Sequence, residues 1–196
     1  MRKRNGGSGQ GGPHGVADRM GRLDTLVPLM QDVATGQRPW QAFLDALSAA
    51  LGRAAIVLVI GDGLTDRAPE VETARIDDRF RLAYIEHFAL RDPWVERLTR
   101  RPTGSVGFGY ETLPRPLLMA SRFYTEWMKP QGLAVTPTIH AVVGAARDGT
   151  CAFLTAFRCG DGRSLEIEDL ALIRDLMPEL QQAVAAHRKR DAAGGS

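Results

Sequence analysis

Apolar positions recur at Val16, Met20, Leu23, Val27, Met30 and Ala34, a 4-3-4-3-4 spacing that aligns them on one helix face. Pro28 falls inside this run and predicts a kink, and Gly36 ends it. Pro39 opens a second helix, "PWQAFLDALSAALG", with Trp40, Phe43, Leu47 and Leu51 on one stripe and Gly52 as its stop. The period then changes. "AAIVLVIGDG" (54–63) is an unbroken apolar run rich in Ile and Val, which predicts a buried strand. A weaker strand is expected around Glu72–Ile76. "DDRFRLAYIEHFAL" predicts a third helix, and Asp92-Pro93 opens a fourth. "SVGFGYETL" reads as loop or edge strand, and "PRPLLMASRFYTEWMKPQG" as one helix between Pro116 and Pro130.

"TIHAVVGAARDGTCAFLTAFR" predicts a hairpin, because Asp148-Gly149 supplies the positive φ angles of a tight turn. A two-residue loop would pair Arg147 with Thr150, Gly144 with Phe153 and His140 with Phe157. Strand side chains alternate, so the hairpin has two different faces. One carries Ile139, Ala141, Val143, Ala145, Ala152, Leu154 and Ala156, small enough for helices to approach closely. The other carries His140, Val142, Gly144, Cys151, Phe153, Thr155 and Phe157: a few polar groups in an apolar wall, as in small-molecule sites. "SLEIEDLALIRDLMPELQQAVAAH" is a long helix, acidic in its first turn and bent at Pro178.

The order is helix, helix, strand, short strand, helices, hairpin, helix. A parallel sheet would need regular strand–helix alternation. The expected class is therefore α+β, an antiparallel sheet of PAS/GAF type flanked by helices, with the N- and C-terminal helices packed on one sheet face. One domain is expected over residues 16–188, after a disordered basic, Gly-rich leader (1–15) and before a tail (189–196).

Of 196 residues, 44% are hydrophobic, enough for one full-sized core. No apolar run is long enough to span a bilayer and no secretory signal opens the chain, so a cytoplasmic protein without membrane contact is expected. The net charge is +2, but "RKR" and "RKRD" near the termini hold six of the 25 basic residues and one of the 23 acidic ones, leaving the body at −3. DNA-reading domains concentrate basic charge on one face. Nucleic-acid binding by this domain alone is therefore disfavoured. If Cys151 and Cys159 share one extended strand they stand about 26 Å apart, too far for a disulfide.

Asp92 lies in "AYIEHFALRDPWVERL", among Tyr84, Phe88 and Trp94. Asp before Pro is a strong helix start, because the carboxylate accepts from the orphan N–H groups of the first turn. The same acid can be a recognition group beside a cavity, with Tyr84 as donor. The stretch "YIEHFALRDPWVERLTRRPTGSVGFGYETLPRPLLMASRFYTEWMKPQGL", with the following hairpin and "LEIEDLALIRDLMPELQQAV", resembles the N-terminal sensory region of LuxR-type helix-turn-helix regulators. The shared pattern is an aromatic four residues before Asp-Pro-Trp, then Pro-x-Gly, then Ser-x-Phe-Tyr-x-x-Trp-x-x-Pro-x-Gly, over about residues 35–190. The resemblance implies a small-molecule sensor that signals through its terminal helix to a DNA-binding domain, for which the residues after Arg190 leave no room. In lactone-binding members a Trp and a Tyr precede the Asp; Tyr84 and Phe88 occupy those spacings here.

The expected ligand site is the hairpin face of His140, Phe153, Thr155 and Phe157, closed by Tyr84, Phe88, Asp92, Trp94, Phe123 and Trp127. A haem sensor ligated by His140 or His87 is the alternative, whereas His14 and His187, in leader and tail, are poor candidates. A ligand-free homodimerisation module is a third reading, from the a/d-like stripe Leu170, Ile173, Met177, Leu180, Val184 and His187. Because the same stripe is needed to cover the sheet, a homodimer is expected with one helix face on the sheet and a margin in the dimer contact. Gly-x-Ser-x-Gly and phosphate-loop patterns are absent, and Cys151 lies too far along the hairpin from His140 to form a nucleophile pair, so no catalysis is expected.

Overall fold

The computed structural model describes residues 13–61, 69–89, 91–135, 137–145, 151–160 and 162–194. Helices α1 (Pro13–Thr35) and α2 (Trp40–Ala50) precede strands β1 (Ala55–Gly61) and β2 (Glu70–Ala74). Helix α3 (Asp78–Ala83) runs on into a π-helical segment, Tyr84–Phe88. Then come α4 (Val95–Leu98), β3 (Val106–Phe108), α5 (Gly109–Thr112), α6 (Arg115–Met119) and a second π-helical segment, Phe123–Met128. Strands β4 (Thr138–Gly144) and β5 (Cys151–Phe157) and helices α7 (Ile167–Asp175) and α8 (Met177–Gly194) complete the chain. The five strands form one antiparallel sheet in the order β2-β1-β5-β4-β3, which gives the expected α+β architecture.

The sheet separates two apolar cores. Ile56, Leu58, Ile139, Ala141, Val143, Leu154 and Ala156 face α1, α2, α7 and α8, so the terminal helices do cover the alanine side. Val57, Val142, Phe153 and Phe157 face the segments between β2 and β4. Strand β1 is buried on both faces, which is why it lacks hydrophobic alternation. Gly52, at φ +65°, stops α2 as expected.

Four local readings are corrected. His140 pairs with Thr155 and Val142 with Phe153, whereas Gly144 pairs with Ala152, because a β-bulge falls between Val142 and Gly144. The displacement from the expected register is two residues, so the faces survive up to the bulge. Past it Ala145 joins the opposite core. The Asp148-Gly149 turn lies outside the described residues. The helix expected between Pro116 and Pro130 is broken at Ala120-Ser121: the Ser121 hydroxyl donates to the Leu118 carbonyl at 2.6 Å and accepts the Tyr124 N–H at 3.1 Å. On α1 the buried stripe is Leu26, Met30 and Val33, while Met20 is 52% exposed. Finally, Leu170, Ile173, Met177, Leu180 and Val184 are all buried within the chain's own core, so these five positions cover the sheet and are not a free a/d seam.

Helix α8 continues to Gly194, and Arg190 donates to the Ala34 and Val33 carbonyls at the end of α1. Residue 190, assigned to a tail from sequence, thus caps a helix of the body. Among the described residues no helix is long and apolar enough to cross a membrane.

Candidate functional site

The two π-helical segments face each other across the side of the sheet opposite the terminal helices. A π turn bonds i to i+5, seen in the Ala89 N–H donating to the Tyr84 carbonyl at 2.8 Å, and such turns concentrate at functional sites. Phe123 and Trp127 stack with centroids 4.9 Å apart. Tyr84 packs against both, at 6.2 and 5.3 Å. The Trp127 indole N–H donates to the Phe80 carbonyl at 2.8 Å, which ties the segments together.

Asp92 holds two roles at once. One carboxylate oxygen accepts the Trp94 N–H at 2.9 Å, capping the turn that leads into α4. The other accepts the Tyr84 hydroxyl at 3.1 Å. Burial pushes the Asp92 carboxyl up from its usual 3.8 to about 6, against hydrogen bonds from Trp94, Tyr84 and Val95 that pull it down. Burial, and then the Asp92 charge, keep the Tyr84 hydroxyl protonated far above its usual range.

Because the folded chain holds the Asp92 proton more tightly than the unfolded chain, this group's contribution to stability falls as pH rises from about 4 to 6. Asp92→Asn keeps the shape and removes the charge. It should be more stable than the parent above pH 6 by about 1–2 kcal/mol, less than the full pKa shift implies because the half-buried acid is partly screened. Urea unfolding should show the difference growing between pH 4 and 7.5; a difference constant with pH contradicts it.

The hairpin end of the expected site is closed rather than hollow. His140 is 1% exposed and Phe157 2%. The Trp94 ring lies 4.6 Å from the His140 ring and 6.1 Å from Phe157. His140 Nδ1 is 3.0 Å from the Thr155 hydroxyl, its direct partner across the bulge-shifted strands, and Nε2 is 3.4 Å from the Thr138 hydroxyl. Both ring nitrogens are engaged, so neither is free to ligate a haem iron. Gly109 permits this packing: a Cβ there would fall 2.0 Å from the Thr138 hydroxyl and 2.8 Å from His140 Nε2. His87 is exposed, beside Glu86, on the far side of the aromatic cluster. Cys151 and Cys159 are both free thiols.

The open space lies one layer further out. A cleft of about 530 Å³ between the π segments is lined by His87, Phe88, Arg91, Ser121, Arg122, Phe123 and Glu126. Phe123 partitions the site. Its ring borders the cleft and also touches Phe88 at 5.8 Å, Trp94 at 6.0 Å and Tyr84. Of the ten expected residues, Phe88 and Phe123 line the cleft, while Tyr84, Asp92, Trp94 and Trp127 cluster behind them. Phe153, Thr155, Phe157 and His140 belong to the sheet wall. The cleft's polar rim of Arg91, Ser121, Arg122 and Glu126 was missed, although "SRFYTEW" interleaves the last three with aromatics. Arg122 and Glu126 pair at 2.7 Å across that rim.

No protein-family model and no curated protein matches this chain. Among solved structures it is similar to the ligand-binding domain of VqsR from Pseudomonas aeruginosa, with TM-score 0.57 and 15% identity over 85% of this chain and 95% of that one. It is also similar to CepR2 from Burkholderia cenocepacia, an N-acylhomoserine-lactone-dependent LuxR-family transcription factor, with TM-score 0.51, 15% identity and the same shares covered. The fold is thus that of LuxR-type ligand-binding domains, in agreement with the resemblance read from the motifs.

Proposed function

We propose that the chain is a small-molecule-sensing regulatory domain of LuxR type. It binds its ligand between Phe88 and Phe123, with a polar group reaching Tyr84 and Asp92. The observation that carries this reading is the buried Tyr84 hydroxyl bonded to the half-buried Asp92 carboxylate, a pair kept at a cost in stability behind a cleft of small-molecule size. A carboxylate accepts and a phenol donates, so the complementary group offers one donor and one acceptor. An acyl amide does both, and the lactone dependence in the name of CepR2 fits that chemistry. The Phe123 ring must turn aside for the ligand to reach Asp92. The ordering of that segment then shifts a population rather than creating a new state.

The signal has a physical route. Phe153 and Phe157 on one side of β5 alternate with Leu154 and Ala156 on the other, against the terminal helices. Gln181 of α8 donates to the Val143 carbonyl at 3.3 Å, beside the bulge. Thermal unfolding against a panel of acyl-homoserine lactones and aromatic amides tests the reading, since a ligand bound only by the folded state raises Tm. A member of the panel should raise Tm, with its affinity weakened about tenfold or more in Asp92→Asn, as expected when a charged hydrogen bond is lost. No rise with any member, or a rise indifferent to Asp92→Asn, counts against it.

A further inference from the structure

The end of α8 meets β2 at a group of side chains that the sensing reading does not use. His187 and Asp191 stand at i,i+4 on α8 and so project from one face, the spacing by which helices chelate metals. Glu70 reaches them from β2. His187 Nε2 is 2.7 Å from a Glu70 oxygen and 3.2 Å from an Asp191 oxygen. Two carboxylates thus converge on one ring nitrogen, whose single proton can satisfy one of them at a time. The three ligand atoms all lie within 4.8 Å of one another. A tetrahedral ion with bonds of about 2.0–2.1 Å sets its ligand atoms about 3.4 Å apart, so the Glu70 contact would open by about 0.7 Å and the Asp191 contact by about 0.2 Å, movements within reach of exposed carboxylates.

The surroundings favour a cation. Glu72 stands two residues from Glu70 on β2, so both carboxylates lie on the same side of the strand. Trp40, 3% exposed, packs edge-on to the His187 ring at 5.8 Å and holds it in place. One imidazole and two carboxylates, with an open side to solvent, are a donor set for Zn²⁺ rather than for Mg²⁺, which favours oxygen and water.

We infer that Glu70, His187 and Asp191 form a Zn²⁺ site that fastens the last turns of α8 to the edge of the sheet. The site is independent of the ligand cleft, which lies on the opposite face of the sheet. Calorimetric titration of the full chain with Zn²⁺ alone should show one saturable site per chain, and Mg²⁺ should not compete for it. Asp191→Ala and Glu70→Gln, both at exposed side chains, should each weaken Zn²⁺ about tenfold or more while leaving the zinc-free Tm near the parent's. Because Cys151 and Cys159 are free thiols, these substitutions identify the site. The inference is overturned if no saturable binding is seen, or if either substitution leaves the affinity unchanged.

Discussion

Asp169→Ala should destabilise the chain by about 2–3 kcal/mol, because it strips several hydrogen bonds from a buried acid while the Arg163 guanidinium left behind is 41% exposed and can be solvated. Asp169 is 0% exposed. One oxygen accepts Arg163 Nη1 at 2.6 Å and the Glu166 N–H at 2.9 Å. The other accepts Arg163 Nη2 at 2.5 Å and lies 3.5 Å from Arg22 Nη1. The acid thus closes the capping box of α7, receives a two-pronged guanidinium, and links α7 to α1 through Arg22. Alanine leaves the Glu166 N–H without its side-chain acceptor and the part-exposed Arg163 without its carboxylate. Urea unfolding at neutral pH reads the loss. Asp169→Asn retains the N–H acceptor and should lose less, and Arg163→Lys should lose part of the bond because lysine cannot bind two oxygens at once. Equal midpoints for Asp169→Ala and the parent contradict the account.

The second large effect is acid sensitivity from His140. Burial, and then the nearby charge of Arg101, lower its pKa from 6.5 to about 3. The folded chain therefore refuses a proton that the unfolded chain accepts. Stability from this group is complete above pH 6.5 and declines as pH falls towards 3, by about 4–5 kcal/mol at the lower end. Asp92 works in the opposite direction between about pH 4 and 6, so the parent's profile is the sum of two opposed slopes. His140→Gln, which can still bond Thr155 and does not titrate, should remove most of the loss between pH 6.5 and 4. A profile as steep as the parent's contradicts the assignment.

Much of this was legible in the sequence wherever one local rule decided the outcome. Asp-Pro announced a helix start, but the helix opens only at Val95, and Asp92 instead holds the Trp94 N–H in the turn before it; the tyrosine eight residues earlier supplied the second bond the acid needed. The Ile/Val run of β1 announced a central strand. What was not legible depends on partners distant in the chain. No periodicity separates a π turn from an α turn, so Tyr84–Phe88 and Phe123–Met128 read as ordinary helix. The register at His140 differs by two residues, one of them added by the bulge in β4, which places Thr155 rather than Phe157 across from His140. Trp94 then filled the space that small residues on the hairpin had suggested was empty. The acids in the first turn of α7 read as partners of a helix dipole, since Arg163 and Arg22 become neighbours of Asp169 only once the chain has folded. His187, at the end of the chain, gained its two carboxylates in the same way.

The central claim is that an enclosed acid–phenol pair behind Phe123 receives a small molecule, and native mass spectrometry of the chain purified from its own host tests it most directly. The account predicts a retained compound of small-molecule mass on the parent chain, absent or strongly depleted on Asp92→Asn prepared in parallel. A bare mass for the parent, or the same compound held equally by both proteins, would contradict it.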